Sequence, residues 1–437
     1  MSLQAAAVSK AKSETGAAVV AIDMGYGHMR PARSIANHLG VPVLHADREP
    51  LADAEERRRW QGIRDFYEHV SRLSTLPVVG EPMRILLNSI TDIPSLYPFR
   101  DLSSPNVGTN ILRYSAYNGL GHSIVSYLQE HDLPLLTTFY SPAVLADYHG
   151  YDRIFCVVTD SDVNRVWAPI KPPSSKIHYF APSGRVVRRL RAYGVNQDKI
   201  TLTGFPLPDA LVGGQEAPVL RRNLAARLAR LDPKQVFRNQ YQAELEQLGE
   251  LPAPSGPPHL VFAVGGAGAQ ADLPEEFLPS LAPLIRDGRF RLTLVAGVRA
   301  EVKAQFETHL ARNHLAAIPR HGVNILFEPN VDAYFARFDE MLADTDVLWT
   351  KPSEVVFYAG LGIPLLLTDP IGVHEKYNRQ FARENAVALK QRDPRFVGDR
   401  LVELLDDGHL AAAAWTGYKR LPHQGLYRII DKLRQSG

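Results

Sequence analysis

Nine short runs of consecutive apolar residues mark the chain: "AAVVAIDMG", "LPLLTTF", "RIFCVVTD", "KITLTGFP", "HLVFAVGG", "RLTLVAG", "NILFEP", "DVLWTK" and "IPLLLTD". Each closes on glycine or polar turn residues and passes into a segment of helical spacing. The runs are continuous rather than alternating, the pattern of strands buried on both faces, and such strands belong to parallel sheets covered by helices. The chain reads as α/β.

A length of 437 residues exceeds what one hydrophobic core usually organises. Two doubly wound domains are expected, at 17–207 and 259–420, preceded by a flexible tail at 1–16. Between them, 208–258 carries Arg, Gln, Glu and Leu at helical spacing and ends in "LPAPSGPPH", which reads as a helical and Pro-rich linker. A last helix within 421–437 is expected to pack back on the first domain.

Composition narrows the class. Hydrophobic residues make up 45% and charged residues 22%, with a formal net charge of +2, so bulk charge gives no sign of a nucleic-acid binder. The single cysteine, Cys156, lies in an apolar run and cannot form an intrachain disulfide, which suits a reducing, cytoplasmic setting. No run approaches the roughly 20 apolar residues of a membrane span. The basic segments "EERRRW" and "GRVVRRLRAYG" read most simply as solvated helix faces, although they could attract anionic lipid, which leaves peripheral membrane contact open.

Both halves begin with a strand that runs into glycines, "VVAIDMGYGHMRPA" and "LVFAVGGAGAQ". Glycine allows a sharp turn and close ligand approach, and the helix start that follows offers unpaired N–H groups to an anion. Neither is a Walker loop, and neither has the spacing of a dinucleotide fingerprint. His374 and Glu375 open a His-Glu-x-x-Asn sequence in which Asn378 occupies the place of the second zinc-binding imidazole, so no metal site is expected.

Taken in order, "GYGHMRPA", "VVTDSDVNRVW", "YFAPSGRVVRRLRAYGVNQDKITLTGFPL", "VGGAGAQ" and "TKPSEVVFYAGLGIPLLLTDPIGVHEKYN" resemble the motifs of GT-B glycosyltransferases. The resemblance is to the galactolipid (monogalactosyldiacylglycerol) synthase and peptidoglycan N-acetylglucosaminyltransferase group. It implies two Rossmann-like domains facing each other across a cleft. It also implies transfer of a sugar from a nucleotide-sugar donor, with uridine the expected base, to an unidentified hydroxyl acceptor, with inversion and without a metal or other cofactor. Gly265, Gly266, Ala267, Gly268, Gln270, Lys351, Pro352, Ser353, Glu354, His374, Glu375 and Asn378 would bind the donor.

On the acceptor side the resemblance places Gly25, Tyr26 and Gly27 in the loop, His28 as the base and Asp160 as a second catalytic candidate, with Asp162 beside it. A helix cap explains Asp160 or Asp162 equally well. Ser353 suits a helix cap and Glu354 a first helical turn. Two departures stand out. The segment between "TKP" and "GIP" is shorter than in relatives, so Glu354 does not align cleanly with their ribose-binding acid; and Pro208 stands where relatives often carry arginine, which makes Arg299 the expected phosphate contact. A GT-B nucleotide-sugar 2-epimerase and a non-catalytic nucleotide-sugar binder are the alternatives.

Overall fold

A computed structural model describes residues 16–23, 25–73, 92–264, 268, 270–316, 322–370 and 373–436. The chain divides into two compact units, one of Met1–Pro206 with Gly425–Gly437, the other of Leu207–Gln424. The tail expected at 1–16 falls, except for its last residue, outside the described residues.

In the first unit, β1 (Ala18–Ala21), β2 (Val43–His45), β3 (Leu135–Thr137), β4 (Ile154–Val157), β5 (Ile177–Ala181) and β6 (Ile200–Leu202) form a sheet in the order β2-β1-β3-β4-β5-β6. In the second, β7 (His259–Ala263), β8 (Arg291–Gly297), β9 (Val323–Phe327), β10 (Val347–Thr350), β11 (Leu365–Leu367) and β12 (Ala388–Lys390) form the order β12-β11-β10-β7-β8-β9. All pairings are parallel. The central strands β1, β3, β4, β7 and β10 are buried at every position, as strands covered on both faces must be. Each sheet therefore has a point where strand order reverses, between β1 and β3 in one and between β7 and β10 in the other, and at such points the carboxyl ends of the strands diverge and leave room for a ligand.

The expected linker at 208–258 is instead part of the second unit. Its helix Pro218–Leu231 buries Leu220, Leu224, Leu228 and Leu231. The same helix carries Arg227, fully buried, which donates to the carbonyls of Leu342, Thr345, Leu361 and Gly362. Burial lowers the Arg227 pKa to about 10, so the guanidinium stays charged at neutral pH and ties together the ends of two helices. A leucine stripe with a buried cation locked at its centre is packing, not tether. Near the other end of the chain, helix Gly425–Ser436 belongs to the first unit, where Tyr427 meets His38 edge to face at 5.8 Å. No helix among the described residues is long and apolar enough to cross a membrane.

Candidate functional site

In the first unit the chain leaves β1, turns through Gly25 at φ +116°, and enters helix Tyr26–Leu39. Tyr26, Gly27 and His28 are thus its first residues, half-buried at the reversal point of the sheet. His28 is held from two strand ends. Its Nδ1 lies 3.2 Å from the Thr138 carbonyl after β3 and 2.8 Å from Thr159 Oγ1 after β4, while Thr138 Oγ1 donates to the His28 carbonyl at 2.8 Å. Phe139 packs edge-on against the imidazole at 4.7 Å, with Trp167 at 6.5 Å.

The two aspartates after β4 separate. Asp160 is half-buried in the bend, and it is its neighbour Thr159 that reaches His28. Asp162 is fully buried at its side chain and accepts from Arg185 Nε at 2.8 Å and from Arg189 through Nε at 2.8 Å and NH2 at 3.0 Å. Asp162 is therefore a structural anchor for helix Gly184–Ala192. Its charge is compensated where a ligand could not reach it.

In the second unit, Lys351 follows β10 at the reversal point. Its Nζ lies 2.9 Å from Glu375 Oε1, a carboxylate only 3% exposed at its side chain, on helix Val373–Glu384. The same helix presents Asn378, also buried, whose Nδ2 donates to the Ser353 carbonyl at 2.9 Å. Glu375 and Asn378 lie three apart on one helical face, so together they clamp the Lys351–Ser353 turn. Gln270, after β7, has φ +71°, and its Oε1 accepts from Thr368 Oγ1 at 3.0 Å after β11; this bond brackets β10 from both sides. Gly268 has φ +69°, and a Cβ there would lie 3.0 Å from Cδ of Arg299, which follows β8.

These placements gather Gly268, Gln270, Arg299, Lys351, Pro352, Ser353, Glu375 and Asn378 onto the carboxyl ends of neighbouring strands. Gly265, Gly266 and Ala267 lie outside the described residues. Ser353 is not the cap it was expected to be: Glu354 holds that position, with no side-chain cap bond, because the Ser353 amide is drawn back to the Lys351 carbonyl at 2.8 Å. Glu354 instead accepts from Tyr358 OH at 2.9 Å. His374 is exposed at the helix start. Lys351 is paired with the buried Glu375 and Arg299 with Glu301 at 3.3 Å, and each keeps further N–H groups that can donate to an anion such as a diphosphate. The residues missed by sequence reasoning are Thr138, Thr159 and Thr368. They are strand-end hydroxyls that look like ordinary turn residues.

A family model described as a domain of unknown function (DUF6938) matches residues 253–387, the stretch that holds β7 to β11 and all the second unit's site residues. No curated protein matches the chain by sequence. Among solved structures, MurG from Acinetobacter baumannii aligns over 95% of this chain and 98% of its own, at 12% identity and a TM-score of 0.50. The fold is GT-B. UDP-GlcNAc 2-epimerase from Neisseria meningitidis, solved with UDP-GlcNAc bound, aligns over 81% of this chain and 89% of its own at 12% identity and a TM-score of 0.45. UDP-GlcNAc 2-epimerase from Methanocaldococcus jannaschii aligns over 96% and 99% at 11% identity and a TM-score of 0.44. At such identities the GT-B likeness is one of architecture.

Proposed function

We propose that this chain is a glycosyltransferase that takes a sugar from a UDP-sugar and passes it to a hydroxyl acceptor with inversion, using no metal. The observation that carries the reading is Lys351, fixed at the reversal point of the second sheet by the buried Glu375 and by the Asn378 clamp on its turn. The donor diphosphate would meet Lys351 and Arg299, with the glycine turn after β7 allowing its approach. In the first unit His28 would take the acceptor proton. The acceptor oxygen forms its bond to the anomeric carbon, the bond from that carbon to the diphosphate oxygen breaks, and its electron pair leaves with UDP, which the cations stabilise. Support comes from the GT-B architecture and from the ordered motifs of the galactolipid synthase and peptidoglycan transferase group. The acceptor is unassigned, and membrane contact enters only as a route to a lipid acceptor.

The test is a thermal-shift screen of nucleoside diphosphates followed by assay of UDP-sugars for UDP release, with and without candidate acceptors. Stabilisation by UDP with transfer or slow donor hydrolysis supports the proposal. A changed sugar formed without UDP release would replace transfer by epimerisation. No stabilisation by any nucleoside diphosphate would overturn the donor reading.

A further inference from the structure

We infer that Thr159 is a positioning residue for His28: together with the Thr138 carbonyl it fixes the imidazole tautomer in which Nδ1 carries the hydrogen and Nε2 is the basic nitrogen. The inference rests on reading His28 as the group that takes the acceptor proton.

The argument begins with the Thr138 carbonyl, which can only accept a hydrogen bond. A ring nitrogen 3.2 Å from it, in hydrogen-bonding geometry, must therefore be the one bearing hydrogen. Thr159 Oγ1 lies nearer to the same nitrogen, at 2.8 Å. A hydroxyl could also donate to a bare Nδ1, but that would leave the same nitrogen facing the Thr138 carbonyl lone pairs; only with the hydrogen on Nδ1, and Thr159 accepting, are both contacts hydrogen bonds. Imidazole free in water prefers the opposite tautomer, so the protein must supply the bias, and two oxygen acceptors on one nitrogen supply it.

The ring is also fixed in place. Thr138 Oγ1 donates to the His28 carbonyl at 2.8 Å, and Phe139 meets the imidazole at an interplanar angle of 71°. Thr138 directly follows β3 and Thr159 lies two residues beyond the end of its neighbour β4, so their oxygens are set by the sheet rather than by a loose loop. Thr159 is itself 6% exposed, too buried to serve as a ligand contact of its own.

The experiment reads the tautomer directly. Full-length protein labelled with 15N-histidine is recorded as wild type, Thr159→Val, Thr159→Ala and Thr159→Ser, with His28→Gln assigning the His28 signals. Wild type and Thr159→Ser should show Nδ1 as the hydrogen-bearing nitrogen and Nε2 as the unprotonated one. Thr159→Val and Thr159→Ala should both shift the two signals toward a mixture or toward hydrogen on Nε2; the alanine variant guards against overpacking or misfolding by valine. Hydrogen on Nε2 in the wild type, or hydroxyl-free variants with unshifted signals, would overturn the inference. UDP release is the second readout. Thr159→Val should lower it about tenfold, a fraction of the roughly 100- to 10,000-fold contributed by a general base, with UDP affinity unchanged and with recovery in Thr159→Ser. If the signals shift but neither Thr159→Val nor His28→Ala alters UDP release, the tautomer assignment stands and the base reading of His28 falls.

Discussion

Arg230 grips Asp346 through two parallel hydrogen bonds, Nε to Oδ2 at 2.7 Å and NH2 to Oδ1 at 2.8 Å, with both side chains buried. Asp346 Oδ2 also accepts the His259 amide at 2.8 Å, so one carboxylate ties the start of β7 to the start of β10 at the edge opposite the candidate site. Asp346→Ala removes the bidentate partner of a buried guanidinium, leaving it only Asp344 at 3.5 Å and Ser255 Oγ at 3.2 Å. It should destabilise the second unit by about 3–5 kcal/mol. Replacing both partners by apolar residues, Arg230→Met with Asp346→Leu, should cost less than the single change, as urea unfolding would register.

Next to this pair, Asp344 sits 2.9 Å from Arg291 and 3.5 Å from His259 Nδ1. Partial burial works against its charge, but hydrogen bonds from His259 and Arg291 hold its carboxyl well below the ordinary value of 3.8. A pKa lower in the folded than in the unfolded chain gives stability that is present above the unfolded value and lost as pH falls toward the folded one. Stability of the wild type should therefore drop faster than that of Asp344→Asn between about pH 5 and about pH 3, narrowing the gap between them. Parallel curves over that range would remove Asp344 from the acid response.

For the proposed donor site, Lys351→Ala should weaken UDP binding by roughly 10- to 100-fold, the loss of one charge-assisted hydrogen bond. Glu375→Gln removes the carboxylate that now neutralises Lys351 and should leave UDP affinity equal or higher. Isothermal calorimetry separates the two. Equal losses in both variants would mean that the pair only maintains the turn.

Gly268→Val meets two obstacles, a left-handed φ of +69° and the Arg299 side chain 3.0 Å from the new Cβ. UDP affinity should fall at least as far as in Arg299→Ala, with the melting temperature of the first unit unaffected. Unchanged affinity would mean that neither Gly268 nor Arg299 faces the donor.

His28→Ala tests the other unit. UDP binding should remain near wild type while transfer, or donor hydrolysis to water, falls roughly 100- to 10,000-fold. Lost UDP affinity would make His28 a phosphate neighbour instead.

Seven of the nine strands read from the sequence are buried at nearly every position, so few polar residues blur their apolar runs; β6 and β9 are partly exposed edge strands, legible from their apolar residues and the turns that follow them. Three strands escaped for physical reasons. β2 and β12 are edge strands of three residues, only half-buried, and β5 contains His178, which bonds Thr201 at 2.8 Å and is held near a pKa of about 4 by burial. In the site, Lys351 and Glu375 were each legible as candidates. Their pairing was not, because it joins a strand end to a helix that begins beyond another strand. Thr138 and Thr159 carry no sequence signal at all, since a threonine after a strand is as common in a plain turn.

The first unit owns helix Gly425–Ser436, so its chain is interrupted by the whole of the second. That helix docks where Arg428 donates to the Thr203 carbonyl at 3.4 Å and where Gly425 lies too close to the Phe205 carbonyl to admit a side chain. During translation, everything the second unit needs is synthesised before this helix is made. The unit begun first is therefore completed last, and a nascent chain would leave the segment from Thr203 to Phe205 without its helix until Gly425–Ser436 leaves the ribosome.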